Sequence, residues 1–185
     1  MNIQICGIDH EIQKVDAWRS NQVKAAYREL LMTLINQRGV QAICEEADGV
    51  EETVGHQFAQ QLGLTSGWTN IDMPEQDRRD AGIFEEQMNR LPVQRDGAVP
   101  THFEGGAFCL DLKNGTHLFC PRVPSDAVRE DYMCQRVIEG AGDANSVLVL
   151  CGNFHIEGLA ARLGQLGNSM QTDAVYNYDW YDSGN

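Results

Sequence analysis

Apolar positions recur at helical and strand spacing along most of the chain and predict alternating strands and helices. Steps of three and four residues predict a helix that ends at Gly39. Its apolar stripe consists of Val23, Ala26, Tyr27, Leu30, Leu31, Leu34 and Ile35. Short apolar runs at 2–6 and 40–44 flank this helix and are typical of strands. The order strand, helix, strand predicts a βαβ unit with parallel pairing.

The same pattern continues to the end of the chain. It predicts helices over 51–62, from 74 onward, over 126–139 with Ser125 as N-cap, and over 156–166. It predicts further strands over 68–73, 146–151 and 170–176. The continuous apolar run at 146–151 is typical of a strand buried in a parallel sheet. We therefore expect an α/β fold with a mainly parallel sheet flanked by helices.

One segment, residues 91–124, breaks this alternation because it holds most of the prolines and several glycines. The dipeptide Asn114-Gly115 within it is a strong hairpin signal. It predicts a β-hairpin elaboration around residues 105–122. We expect this elaboration to belong to a single α/β domain over 1–185 that ends in a loose C-terminal tail at 177–185.

The predicted hairpin would bring two cysteines opposite each other. With a two-residue loop, Cys109 faces Cys120 at a separation compatible with a disulfide. The six cysteines include no C-x-x-C pair, and the chain shows no export signal. Reduced thiols are therefore the expected state.

Charge and composition narrow the function classes. The 185 residues are 42% hydrophobic and 22% charged, as in ordinary folded domains. The net charge of −13 would repel nucleic acids and anionic membrane surfaces. No apolar run approaches the length of about 18 residues that a membrane span needs. We expect a cytoplasmic protein that acts on a small-molecule or peptide substrate, without nucleic-acid or membrane partners.

Three predicted strands end in cysteine and lead directly into polar residues. The first strand leads to His10, the second to Glu45 and Glu46, and the continuous apolar strand to His155. The carboxyl ends of parallel strands form the crevice where ligands bind, so these side chains should converge on one edge of the sheet. The cysteines themselves are expected to pack as small apolar side chains.

Both histidines lie three residues after a glycine, as Gly7-x-x-His10 and Gly152-x-x-His155. Glycine would let the chain turn sharply off the strand and direct the imidazole back over the strand end. An imidazole beside carboxylates can act as a general base on water or bind a metal ion.

Two carboxylates and an arginine complete the candidate site. Strand alternation directs only one of Glu45 and Glu46 into the cleft, and we favour Glu45 because it directly follows the strand. Arg129 lies on the predicted helix over 126–139, and two roles stay open for it. It could stabilise negative charge on the substrate or form a structural salt bridge with one of the glutamates. His56, His102 and His117 are expected to be structural, although His102 with Glu104 could also join the site.

The order of these motifs resembles the erythromycin esterase, TraB and Tiki superfamily, which includes haem-binding ChaN-like proteins. The matching positions, in chain order, are Gly7 with His10, Glu45 with Glu46, Arg129, and Gly152 with His155. The segment that begins at Arg129 resembles the family's R-D-x-x-M helix start, with Glu130 in place of the more typical aspartate. The resemblance covers residues 1–166, although the chain is shorter than most members and residues 65–122 match nothing in the family.

This resemblance implies an α/β fold with related halves, each contributing one G-x-x-H histidine to a central cleft. Within the superfamily, Tiki-like members are metal-dependent proteases, erythromycin esterases hydrolyse a macrolide lactone with a histidine and glutamates, and ChaN-like members bind haem. Function therefore varies widely within the superfamily, and the resemblance implies either hydrolysis or haem binding for this chain.

Our first hypothesis is a hydrolase in which His10, His155 and either Glu45 or Glu46 activate water. The activation would be direct or would pass through one divalent metal ion (Mn, Zn or Fe) held by His10, Glu45 and His155. Arg129 would stabilise the developing negative charge. The alternative is a non-catalytic protein that binds haem or a small metabolite. A third hypothesis is a pseudo-enzyme whose acidic surface binds a protein partner.

Overall fold

The computed structural model describes residues 1–8, 10–15, 20–47, 52–89, 93–95, 108–112, 116–120 and 122–182. The strands are β1 (Asn2–Ile8), β2 (Ala42–Glu45), β3 (Gly67–Asn70), β4 (Val93–Arg95), β5 (Phe108–Leu112), β6 (Thr116–Cys120), β7 (Ser146–Gly152) and β8 (Ser169–Ala174). The helices are α1 (His10–Gln13), α2 (Asn21–Arg38), α3 (Val54–Leu62), α4 (Glu75–Asp80), α5 (Ile83–Met88), α6 (Pro124–Ala141), α7 (Ile156–Gln165) and α8 (Asp179–Asp182). None of these described helices is long and apolar enough to cross a membrane.

Five parallel strands form the central sheet in the order β3-β2-β7-β1-β8. The predicted α/β fold with a mainly parallel sheet is thereby confirmed. The strands β1 and β2 do not pair with each other, because β7 lies between them and pairs with both. The expectation of direct pairing within the first strand, helix and strand is therefore wrong.

Helices cover both faces of this sheet. One face packs against α2 and α3, with Ile43 and Leu148 in that core. The other face packs against α6 and α7, with Cys44 and Val149 in that core. Neighbouring residues of a strand point to opposite faces, so β2 directs Ile43 and Cys44 toward different pairs of helices. The same alternation separates the two glutamates that follow.

Predicted helices are present, with differences at their ends. Helix α2 ends as expected, with Gly39 in the left-handed conformation at φ 57°. Helix α6 begins earlier than predicted, because its N-cap is Val123 and Pro124 occupies the first position. The Asp126 carboxylate accepts a hydrogen bond from the Val123 N–H at 2.9 Å. The prediction that Ser125 caps this helix is therefore wrong.

The predicted hairpin is present as the antiparallel pair β5 and β6. Strand β4 joins β6 as a third strand that the sequence pattern did not predict. Cys109 pairs with Phe119, and Cys120 pairs with Phe108. The register thus differs by one residue from the prediction, and the two cysteines are not opposite each other.

Some predicted features lie wholly or partly outside the described residues. The segment expected to be a loose tail contains α8, and Tyr181 in this helix is buried. The end of that segment, residues 183–185, lies outside the described residues. The Asn114-Gly115 turn also lies outside them, as do His102 and Glu104.

Candidate functional site

Four of the five predicted site residues meet at the carboxyl edge of the central sheet. The strands β1 and β7 pair along their whole length, so the segments that follow them begin side by side. His10 Nε2 lies 3.7 Å and His155 Nε2 lies 3.9 Å from the same atom, Glu46 Oε1. Arg129 Nη2 donates a hydrogen bond to this oxygen at 2.7 Å. One carboxylate oxygen therefore faces two imidazoles and one guanidinium.

The fifth residue, Glu45, faces the other side of the sheet. Its buried carboxylate accepts hydrogen bonds from Gln13 Nε2 at 2.9 Å, from Trp68 Nε1 at 2.6 Å and from Thr53 Oγ1. Strand alternation places Glu45 on the face covered by α2 and α3, and Glu46 on the face of α6 and α7. The favoured residue, Glu45, therefore faces away from Arg129 and His155, and Glu46 is the carboxylate that contacts them.

The two motif glycines allow the two motifs to pack closely against each other. Gly7 is not among the described glycines with positive φ, and Gly152 has φ −57°. A Cβ on Gly7 would overlap Asn153 Oδ1, and a Cβ on Gly152 would lie 3.1 Å from His10 Nε2. Each glycine therefore makes room for residues of the other motif, and neither needs a positive φ.

Each imidazole is oriented by a partner at Nδ1. His10 Nδ1 lies 3.0 Å from Gln13 Oε1, and His155 Nδ1 lies 3.3 Å from Glu130 Oε1. The Gln13 amide nitrogen donates to two oxygen atoms at 2.9 and 2.6 Å, so its Oε1 is the acceptor for the His10 ring. A carboxylate oxygen is likewise an acceptor. When neutral, both rings therefore carry the proton on Nδ1 and the lone pair on Nε2, the atom that faces Glu46.

Glu130 is completely buried and bound by two arginines. Arg122 Nη2 and Arg162 Nη1 contact its two carboxylate oxygens at 2.5 and 2.9 Å. Gly158 in α7 lies directly against this carboxylate, and a Cβ there would overlap it. Sequence reasoning noted Glu130 only as a neighbour in the Arg129 motif and missed that it orients His155.

Arg129 is buried between two carboxylates. Its Nη2 contacts Asp72 Oδ1 at 2.5 Å as well as Glu46, and Arg78 lies 3.8 Å from Asp72 Oδ2. Of the two roles left open for Arg129, this geometry provides the salt bridge. Sequence reasoning missed Asp72 because the residue fell inside the predicted strand 68–73. The observed strand β3 ends at Asn70, so Asp72 is another polar residue just beyond a strand end.

The two adjacent glutamates differ in pKa. Burial raises the pKa of Glu46, but the two histidines, Arg129 and the Gly152 N–H outweigh burial and hold this pKa below its ordinary value of 4.5. Burial raises the pKa of Glu45 above 4.5, and its three hydrogen-bond donors only partly offset this effect. Glu46 is therefore the carboxylate that stays ionised.

We expect Glu46→Gln and Glu45→Gln to change the pH dependence of stability in opposite ways. Glu46 stabilises the folded state above 4.5, its ordinary pKa, and this contribution is lost as the pH falls toward its lower folded-state pKa. Glu45 has a raised folded-state pKa, so its contribution is present at low pH and is lost as the pH rises through that pKa.

Urea unfolding between about pH 3 and about pH 8 measures both effects. The stability advantage of the wild type over Glu46→Gln should grow as the pH rises toward 4.5. Its advantage over Glu45→Gln should decrease as the pH rises above 4.5. The same pH profile for both variants would contradict these opposite pKa shifts.

The site residues do not fit a bound metal. Within the described ranges, no group of three or more His, Cys, Asp or Glu side chains is placed to hold a metal ion. The predicted ligand set of His10, Glu45 and His155 is not assembled, because Glu45 faces away. The carboxylate that is present, Glu46, already binds Arg129. The His155 side chain is 5% exposed and its Nε2 faces the same carboxylate. The haem alternative stays a prediction.

Comparison with known proteins identifies no relative: no protein-family model, no curated protein and no solved structure matches the chain. The resemblance to the erythromycin esterase, TraB and Tiki superfamily therefore rests on the motif residues alone. It stays a prediction.

Proposed function

We propose that the protein is a hydrolase that activates water with His10, His155 and Glu46 and needs no metal ion. One observation carries this proposal: two imidazole Nε2 atoms from different strand ends lie 3.7 and 3.9 Å from the same carboxylate oxygen. A carboxylate beside two oriented imidazoles can position a water molecule and assist the removal of its proton. The resemblance of the motifs to erythromycin esterases supports an ester or lactone bond as the target.

His10 is the general base in this proposal because it is the more accessible ring. Its side chain is 39% exposed, compared with 5% for His155. Gln13 fixes the Nδ1 side of the ring, so Nε2 takes the proton from water while the water oxygen bonds to the carbonyl carbon. The negative charge of Glu46 stabilises the imidazolium that forms.

His155 is the general acid. Its Nδ1 is bonded to Glu130, and in the protonated ring Nε2 carries the second proton. It gives this proton to the leaving alkoxide as the C–O bond breaks, and the products are a carboxylic acid and an alcohol. Solvent then removes the proton from His10 and returns one to His155. Arg129 acts as a positioning residue that holds Glu46.

Hydrolysis of a panel of small esters and lactones tests this function. We expect His10→Ala and His155→Ala each to lower kcat/KM by about 10²- to 10⁴-fold, because each removes one proton-transfer group. His56→Ala is the matched control, since the His56 ring stacks on Trp68 at 4.5 Å and is not part of the site. Its rate should stay close to that of the wild type, and the wild-type rate should survive dialysis against a chelator.

Circular dichroism of the same variants shows whether they remain folded. A wild-type rate that both folded histidine variants retain would overturn the proposed mechanism. A rate that disappears on chelation and returns with a divalent metal would overturn its metal-free form.

A further inference from the structure

We infer that Arg122 binds an anionic group of the substrate, so that the preferred substrates are small esters or lactones with a carboxylate near the scissile bond. This inference rests on the proposed function and names its substrate class. It gives Arg122 the contact with negative charge that the sequence predicted for Arg129.

Arg122 lies directly before α6, next to the site. Its Nη1 donates to the Phe154 carbonyl at 3.1 Å, and its Nη2 donates to Glu130 Oε1 at 2.5 Å. The same Glu130 oxygen lies 3.3 Å from His155 Nδ1. One carboxylate oxygen therefore joins the Arg122 guanidinium to the ring of the proposed general acid.

Arg122 carries its hydrogen-bonding groups on a more exposed side chain than Arg129 does. A guanidinium has five N–H groups. Within the described part of the chain, Arg122 makes one hydrogen bond from Nη1 to the Phe154 carbonyl and one from Nη2 to Glu130. Its side chain is 27% exposed, compared with 8% for Arg129. Arg129 is enclosed by two carboxylates, so a ligand can reach Arg122 more easily than Arg129.

Arg162, the second arginine on Glu130, provides an internal comparison. Its side chain is 25% exposed, almost the same as that of Arg122. All three of its nitrogen atoms are bonded within α6 and α7, to Asp131, Glu130 and the carbonyls of Gly158 and Ala127. Arg162 therefore connects two helices, whereas Arg122 has donors left for a ligand.

Charge explains why a substrate anion needs a local cation here. The net charge of −13 repels anions at long range, but salt screens this field beyond about 8–10 Å. At contact distance, a guanidinium forms two parallel hydrogen bonds with a carboxylate, and such charge-assisted pairs are strong. Arg122 can therefore select an anionic substrate despite the acidity of the whole chain.

Two p-nitrophenyl esters of equal acyl length test the inference: the butyrate, which is neutral, and the half-ester of succinate, which ends in a carboxylate. We expect the wild type to prefer the succinate ester. Arg122→Gln should lower kcat/KM for this ester by about 10- to 100-fold, the loss expected for a hydrogen bond to a charged group. The value for the butyrate should change much less.

Arg162→Gln is the matched control, because it also removes one guanidinium from Glu130. It should retain the wild-type preference for the succinate ester. Equal losses on both esters in Arg122→Gln would overturn the inference, since they would indicate a general disturbance of the site rather than a lost substrate contact. A wild type that hydrolyses both esters without preference would also overturn it.

If the wild type hydrolyses neither these two esters nor any member of the ester and lactone panel, the proposed function fails, and inorganic phosphate tests the anion site separately. A phosphate-dependent rise in Tm that Arg122→Gln loses and Arg162→Gln keeps would support the anion site. A rise that is equal in all three proteins, or absent from the wild type, would refute it.

Discussion

Replacing Glu46 by glutamine is expected to lower kcat/KM by about 10³-fold while the protein stays folded. Glutamine keeps the size of the side chain but removes the negative charge that lies 3.7 and 3.9 Å from the two imidazole Nε2 atoms. The imidazolium that forms at His10 then loses its counter-charge. Arg129 keeps its contact with Asp72, so its positive charge stays paired.

Glu45→Gln is the matched control for this prediction. It changes the neighbouring residue in the same way but acts on the opposite face of the sheet. Glu45 supports Gln13, which in turn orients His10, so we expect a smaller loss of about 10-fold. Parallel assays of the two variants on one ester measure the difference. A larger loss in Glu45→Gln than in Glu46→Gln would contradict this prediction and identify Glu45 as the carboxylate on which the reaction depends.

The largest effect on stability is expected for Gly158→Ala, which should lower the free energy of unfolding by about 1–3 kcal/mol. The added Cβ would overlap the Glu130 carboxylate, which His155 and two arginines hold in place. Either Glu130 moves and weakens the contact with His155, or α7 shifts away from α6. Urea unfolding measures the change.

Gly164→Ala is the control in the same helix. A Cβ at Gly164 would meet Met170 Cγ at 3.7 Å, an ordinary contact distance. Alanine favours the helix over glycine, so this variant should be more stable than the wild type by up to about 1 kcal/mol. A Gly158→Ala protein as stable as the wild type would show that Glu130 is not closely packed against α7.

Local sequence patterns predicted the elements of the fold better than their arrangement. The helical stripe of α2 and the apolar run of β7 each depend on neighbouring residues, and both elements are present. The position of β7 between β1 and β2 depends on contacts between distant parts of the chain, which no local pattern encodes. The hairpin register failed because one additional loop residue shifts every cross-strand pair.

In the candidate site, too, local patterns predicted some residues, whereas the choice that depends on distant contacts could not be predicted. The two histidines were predictable because each stands three residues after a glycine at the end of an apolar strand. The choice between Glu45 and Glu46 required the knowledge that α6 and α7 cover one particular face of the sheet. Gln13 could have been found, since it lies three residues after His10 and shares the short helix α1.

The central claim is that two histidines present their Nε2 atoms to Glu46, and long-range ¹H–¹⁵N NMR of the imidazole rings tests it most directly. The spectra are recorded for the wild-type protein at a pH where both rings are neutral. The contacts with Gln13 and Glu130 predict that His10 and His155 carry their protons on Nδ1. A proton on Nε2 of either neutral ring would contradict the arrangement on which the proposed hydrolysis depends.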